Sequence, residues 1–523
     1  MKVAIVTGRR ATSFLRDIAR ELSKRIGWTV DVVAVPVEVA ALIPREALEQ
    51  TIERLDCSYD MVIVPGTLPY SLDEIRAPDC LTIVKGPIDP TDLLILAELG
   101  EEGLRELREN RVLSPELVAG RWLEELKRHH NETLSIEVCG VRVPVRPPPI
   151  VVAAELYYRP GLSIADRVEQ LLSMGADIVV MGFGADIDPG EAMEVVRTAA
   201  RIAGQVAIDS PDKKLVARAV KEGYACLAFT ASEASKLLDL LPRGSSVVVA
   251  PYRADYSVPS NPHERVALLQ RLVREARSRG LTPIADPLVE PPGHGFAKSV
   301  TAYILASEVI DTPLLAGIAN VYELVDADSH GQIAVLTQLY GEAGASIMLV
   351  TEESRKSRFA VAEAAIAATL TGLSLLKKRP PKELGLGLFY AKEKRPRKGV
   401  PLASKPERVY DASKLAAWVS FRQDRLGNHL IAVEGGVIRD LYIGSRGIVE
   451  VRGRRAEDIY KAITYLGLAS EPSHYAYLGY ELCKAELALE LELSYVQEEP
   501  LITPPWKNAL IYSVREKRPR RLG

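Results

Sequence analysis

From residue 150 onward one unit recurs: a short apolar run, then a helical segment. The runs are "IVVAAEL" (150–156), "DIVVMGF" (177–183), "QVAIDS" (205–210), "YACLAFT" (224–230), "SVVVAPY" (246–252), "TPIADPL" (282–288), "PLLAGIAN" (313–320) and "SIMLVTEES" (346–354). They do not alternate cleanly between apolar and polar, as expected of parallel strands buried on both faces. Eight βα units in about 225 residues predict a (β/α)8 barrel; two doubly wound halves are the alternative.

The helices between them carry end signals. "SIADRVEQLLSMG" opens on Ser163 with Asp166 three residues later, a capping-box pattern, and closes on Gly175. "SPDKKLVARAVKEG" has Pro211 near its start and Gly223 at its end. "PHERVALLQRLVREARSRG" places Val266, Leu269, Leu272 and Val273 on one face.

Weaker patterns flank this core. Residues 1–140 alternate strand and helix signals, among them "KVAIVTG", "DVVAVPV", "MVIVPGT" and "CLTIVKGP", and predict an open, Rossmann-like α/β domain. "VRVPVRPPPI" (141–150) reads as a linker. The barrel is expected over 148–375. Charged, Pro-rich connectors follow at 376–385 and 391–409, and a small α+β module over 405–510. In that module "AAWVSFRQ" reads as a strand. "HLIAVEGGVIRDLYIG" reads as a hairpin around Gly435-Gly436, and two helical stretches follow.

Composition narrows the function classes. The net charge of −3 over 523 residues offers no field for nucleic acid, so no nucleic-acid partner is expected; the basic tail "REKRPRRLG" reads as a solvated terminus. No apolar run reaches the roughly 18–20 residues of a bilayer span. The start reads as a first strand rather than a signal peptide, so a cytoplasmic location is expected. The five cysteines (Cys57, Cys80, Cys139, Cys226, Cys483) show no zinc-type spacing. Cys139 and Cys226 read as small core residues, and neither a metal site nor a disulfide framework is expected.

In such a barrel the carboxyl ends of the strands face the active site. There the runs carry Glu155, Asp209 and Asp286, then Asn320, and last Glu352, Glu353, Arg355 and Lys356. A carboxylate ending an apolar run is costly unless it is paired or meets a ligand. Asp209-Ser210-Pro211 also fits a helix N-cap, so both readings of Asp209 stay open. Two carboxylates and a carboxamide without a His/Cys cluster suit a planar heterocycle with adjacent N–H donors. Metal binding is the competing use of such oxygens. After Asp286 comes "GHGFAK", a Gly-rich turn ending in Lys298.

These residues carry a resemblance. Segment 150–375 resembles the pterin-binding barrel family, which includes dihydropteroate synthases and methyltetrahydrofolate:corrinoid methyltransferases. "AIDS" matches the strand-three Asp motif at Asp209, and "ADP" the strand-six Asp-Pro motif at Asp286. In the family these carboxylates grip the pterin. The chain as a whole resembles archaeal dihydropteroate synthase-related proteins. "GHGFAK" is similar to the synthases' Gly-Phe-Gly-Lys element, which brings in Lys298. Their strand-four Asn-Asp, strand-seven Ser-Arg-Lys and strand-eight Arg-x-His are missing, and Arg355 and Lys356 are the cations left to hold a pyrophosphate. "DPL" and "GIAN" are closer to the methyltransferases. That likeness implies Asn320 at the pterin N5, where methyl departs, and Glu155 as the strand-one Glu.

The stretch 456–501 is similar to a C-terminal part of one subunit of tetrahydromethanopterin S-methyltransferase, and to a tail found on some archaeal thymidylate synthases. His474, the titratable residue that stands out in it, reads as a packed or capping side chain. Together the resemblances imply a transferase of folate or methanopterin one-carbon metabolism. It would move a methyl group from a reduced pterin to a corrinoid or corrinoid protein, and a homodimer is expected from the family. Two alternatives are a synthase-type condensation of a pterin pyrophosphate with an arylamine, and a non-catalytic pterin carrier or assembly subunit.

Overall fold

The computed structural model describes residues 1–87, 93–94, 115–382, 384, 386–390, 412, 424–502, 510–511 and 520–521. The connector at 391–409, the run at 416–423 and most of the basic tail lie outside the described residues. The chain divides into two units, Met1–Pro396 and Arg397–Gly523.

Unit one opens with four parallel strands, β1 (Lys2–Gly8), β2 (Thr29–Val35), β3 (Met61–Val64) and β4 (Thr82–Lys85), in the order β2-β1-β3-β4. A short antiparallel hairpin follows, β5 (Ser135–Val138) and β6 (Val141–Pro144). The reading of 141–150 as a plain linker is therefore corrected: its first four residues are a strand. Val138 and Val143 are buried against the inward-facing barrel residues Val151, Ile178 and Ile347, so the hairpin closes one end of the barrel. Its local Pro content hid a pairing that burial enforces.

The eight predicted runs form a closed barrel of parallel strands: β7 (Val151–Tyr157), β8 (Ile178–Gly182), β9 (Val206–Asp209), β10 (Ala225–Ala231), β11 (Ser246–Val249), β12 (Thr282–Ala285), β13 (Leu314–Gly317) and β14 (Ala345–Thr351). Successive residues point to opposite faces of a strand. Val151, Ala153, Ile178, Val180, Ala207 and Ile284 fill the interior. Val152, Ala154, Val179, Met181, Val206 and Ile208 pack outward under the helices. Both faces are apolar, which is why the sequence lacks alternation. Strand β10 departs from the βα repeat, for only the one-turn helix Leu237–Asp239 stands between it and β11.

The last barrel helix, Ala360–Lys377, amends one expectation. By length and composition it is apolar enough to cross a membrane, and 61% of it is buried inside the protein. Ala360, Val361, Ala364 and Ala367 belong to the barrel core, and Leu370 and Leu373 to the core shared with Trp122, Leu126 and Leu22. Packing on two sides accounts for its composition.

The expectation about cysteines is overturned. Cys57–Cys80 and Cys139–Cys226 are disulfides, with Cα atoms 5.7 and 5.1 Å apart, and Cys483 is free and exposed. The partners lie 23 and 87 residues apart in the chain, so only the fold brings them together. Cys139–Cys226 ties the closing hairpin to the start of β10.

In unit two, β15 (Gly427–Glu434), β16 (Val437–Gly444) and β17 (Gly447–Gly453) form an antiparallel meander. Gly435 and Gly436, with φ of 60° and 73°, make the first turn as predicted. Helices Ala456–Leu466 and Pro472–Glu490 cover one face, burying Ile431, Ile438, Tyr442, Ile459 and Leu482. His474 is a packed residue: its Nδ1 lies 3.1 Å from Asp424 Oδ2.

Candidate functional site

Strand parity builds the site. Glu155 continues the inward series Val151-Ala153, Asp209 follows inward Ala207, and Asp286 follows inward Ile284. Each carboxylate sits two residues past the last interior apolar side chain, where the packed core gives way to the mouth. Gly182 pairs in register with both Tyr157 and Asp209, so the ends of β7, β8 and β9 are level.

A cavity of about 310 Å³ opens there, lined by Glu155, Tyr157, Phe183, Asp209, Pro211 and Lys213, with Gly182 in its wall. A Cβ on Gly182 would lie 2.7 Å from Glu155 Oε1, and one on Gly184 2.7 Å from the Tyr157 hydroxyl. The glycines of "MGFG" therefore make room for the Glu155 carboxylate and the Tyr157 ring. Burial, and then the negative charges of Asp209 and Glu353, push Glu155 up to about 7. Burial also raises Asp209, against the pull of Lys213.

Lys213 stands in the first turn of helix Lys213–Lys221. Its ammonium donates to the carbonyls of Ser210 (2.8 Å) and Phe229 (3.3 Å) and lies 4.0 Å from Asp209 Oδ1. The cap of this helix is Asp212, whose Oδ1 accepts from the backbone N–H of Lys214 and Leu215. Asp209 is thus not the cap, and its 42% exposed side chain faces the cavity. The predicted box at Ser163 also differs: Ser163 Oγ donates to Asp166 Oδ2 at 2.7 Å, and Ser163 accepts no capping N–H.

Asp286 lies at the end of β12. Its Oδ1 accepts from Leu288 N–H at 2.8 Å and from the Tyr303 hydroxyl at 2.9 Å. Burial raises its carboxyl to about 6, despite these donors and the nearby charge of Arg265. Arg265 is fully buried and holds the loop that follows. It donates to Pro259 O (3.0 Å) and Leu288 O (3.4 Å) and pairs with Glu290 (2.7 Å). Tyr252, just past β11, links the two carboxylates electrostatically: burial first, then the charges of Asp286 and Asp209, raise its phenol.

The other predicted residues are placed differently. Asn320, in the short helix Ala319–Tyr322, donates through Nδ2 to Val289 O at 3.0 Å, and so holds the loop after Asp286. Lys298 is exposed in the first turn of helix Phe296–Val309. Lys356 donates to Val325 O at 2.7 Å, and Arg355 is exposed on the same one-turn helix. Glu352 accepts from Arg167 and from Val361 N–H, and Glu353 pairs with Arg159 at 2.6 Å. The structure thus gathers Glu155 and Asp209 in one cavity and brings Asp286 to the same mouth. Asp286, Asn320, Arg355, Lys356 and Lys298 are not among the cavity's lining residues.

Sequence reasoning missed Lys213, Tyr252, Tyr303 and Arg265. Only Lys213 left a local signal, four residues after Asp209. Among the described residues no group of three or more His, Cys, Asp or Glu is placed to hold a metal ion.

A family model described as PterinBD-DUF4346 matches residues 423–498. An uncharacterized protein of Methanocaldococcus jannaschii is 25% identical over 95% of this chain and 98% of its own. Among solved structures, dihydropteroate synthase from Thermus thermophilus aligns with 44% of this chain and 97% of its own, at 19% identity and a TM-score of 0.36. 7,8-Dihydropteroate synthase from Vibrio fischeri aligns with 47% and 100%, at 17% identity and 0.35. 3-Dehydroquinate dehydratase from Geobacillus kaustophilus aligns with 47% and 97%, at 15% identity and 0.33.

Proposed function

We propose that the barrel mouth binds a reduced pterin of the folate or methanopterin type and takes part in transfer of its one-carbon group. The observation that carries this reading is the meeting of Glu155 and Asp209 in one cavity, with Asp286 ending a third strand of the same barrel. A carboxylate matches the N–H and exocyclic amine of a pterin edge with two parallel hydrogen bonds. The cavity volume is at the lower end for small-molecule sites and suits a bicyclic ring.

The reaction we favour is methyl transfer from N5. The N5–carbon bond breaks, its electron pair stays on N5 and is quenched by a proton, and the methyl group bonds to an electron pair of the acceptor, a reduced corrinoid in this reading. Glu155, held near neutrality, is suited to supply that proton. Asn320 positions the loop after Asp286 at the same mouth. The substrate site then belongs to a barrel domain over 148–375. The α/β domain over 1–140 and the module over 405–510 are left for the acceptor, such as a corrinoid protein.

Titration with methylated and unmethylated tetrahydropterins by calorimetry, repeated with Asp286→Ala, tests the pterin site. The variant should lose at least tenfold in affinity; unchanged affinity removes the assignment. Methyl-pterin mixed with reduced cobalamin, followed by the corrinoid spectrum, tests the reaction. The synthase-type condensation is the second reading, favoured by the exposed Lys298 at a helix start after a Gly-rich turn. Release of pyrophosphate from a pterin pyrophosphate plus an arylamine would identify it.

A further inference from the structure

The cavity beneath Glu155 and Asp209 holds one cation among its lining residues, Lys213. Its ammonium has three N–H donors. Two are taken by the carbonyls of Ser210 and Phe229, which fix the side chain against the wall. Among the described residues no hydrogen bond takes the third. Asp209 Oδ1, at 4.0 Å, is beyond hydrogen-bond reach. The cavity therefore offers carboxylate acceptors and, beside one of them, a fixed donor.

We infer that Lys213 is the specificity-determining residue of this cavity, selecting a heterocycle with a ring carbonyl next to its N–H and amine edge over the analogue with an amine at that carbon. The inference rests on the pterin reading of the site. Asp209 takes the ring N–H and the exocyclic amine, and Lys213 beside it donates to the adjacent carbonyl oxygen. An amine in place of that carbonyl would turn a donor toward a donor, so neither could pair with the other. Without the lysine the ranking should change. Carboxylates alone favour the more basic diamino compound, so the cation is what turns the site toward the oxo form. The lysine acts through recognition and needs no part in bond making.

The test uses the full chain and two probes, 6-hydroxymethylpterin (2-amino-4-oxo) and 2,4-diamino-6-hydroxymethylpteridine, titrated by calorimetry. The wild-type protein should bind the oxo compound roughly 10- to 100-fold more tightly, the range for a hydrogen bond to a charged group. Lys213→Met should lose that preference or reverse it, with the main loss on the oxo probe. Lys213→Arg, which keeps charge and donors, should retain it. A thermal melt of each variant checks folding, and Lys213→Gln replaces Lys213→Met if the latter does not fold. Equal binding of the two probes by the wild-type protein overturns the role of Lys213, as does a preference kept in Lys213→Met; both leave the pterin reading standing. Failure of both probes to bind overturns the pterin reading, and this inference with it.

Discussion

The Tyr303 hydroxyl lies 2.9 Å from Asp286 Oδ1 and 2.7 Å from the carbonyl oxygen of Leu315. A phenol has one proton, so it cannot fully satisfy both acceptors. With Asp286 protonated, the phenol proton is free to go to the Leu315 carbonyl. With Asp286 ionised, Tyr303 must be shared or turn toward it. This competition accords with a carboxyl that burial holds near 6.

A pH dependence follows. Pterin capture through Asp286 needs the carboxylate. Affinity should be flat above pH 7 and fall as pH drops through about 6, by about tenfold at pH 5. Tyr303 is one of the groups that lower this carboxyl, so Tyr303→Phe should move the midpoint upward. The linkage to stability has the opposite sense to a salt-bridged aspartate. The folded value lies above that of a free carboxyl, about 3.9, so this group's contribution to stability falls as pH rises from about 4 to 6. Calorimetric affinities measured from pH 5 to 8 check the first claim. A midpoint that does not move in Tyr303→Phe would refute a hydrogen bond from Tyr303 to the ionised carboxylate.

Gly182→Ala probes the room made for Glu155. The added methyl would lie 2.7 Å from Glu155 Oε1 and 3.3 Å from the Tyr157 ring. Both are side-chain atoms that can shift, so the barrel should still fold. The displaced carboxyl should slow methyl transfer at least tenfold, the low end for loss of a positioned general acid being about a hundredfold. A wild-type rate in a folded variant would show that the position of Glu155 is immaterial.

Arg265→Met tests the clamp on the loop after Asp286. The guanidinium is fully buried and bonds Pro259, Leu288 and Glu290. Removing one partner of such a pair typically costs about 3–5 kcal/mol. The Tm should fall, and pterin affinity should fall with it because Asp286 loses a rigid loop. Chemical denaturation measures the first effect and titration calorimetry the second.

The disulfides give a direct chemical count. Of the five cysteines, one thiol should react with a thiol reagent in the denatured, non-reduced protein, and all five after reduction. In the chain-entropy account the 87-residue separation of Cys139–Cys226 corresponds to about 4–5 kcal/mol, and the 23-residue separation of Cys57–Cys80 to about 3 kcal/mol. Cys139→Ser should therefore lower the Tm more than Cys57→Ser.

How far the sequence reached depended on whether a signal was local. The eight strands were legible because apolar runs between capped helices report burial residue by residue. Glu155, Asp209 and Asp286 were legible as strand ends for the same reason. Where a local pattern had two solutions, the sequence did not choose. Asp209-Ser210-Pro211 fitted both a helix N-cap and a site carboxylate, and the cap proved to be Asp212. The Pro-rich 141–150 could be a linker, yet burial against the barrel end makes its first residues a strand.

The sequence by itself determined the periodicity of the barrel and which residues end its strands, because solvent and backbone geometry act on each segment separately. Tertiary structure alone decided which of those ends share a cavity, that Lys213 joins them, that Asn320 and Lys356 are held on backbone carbonyls, and which cysteines meet. Those outcomes depend on distances between residues tens of positions apart, and on loss of solvent around charges. Neither is written in the spacing of any single segment.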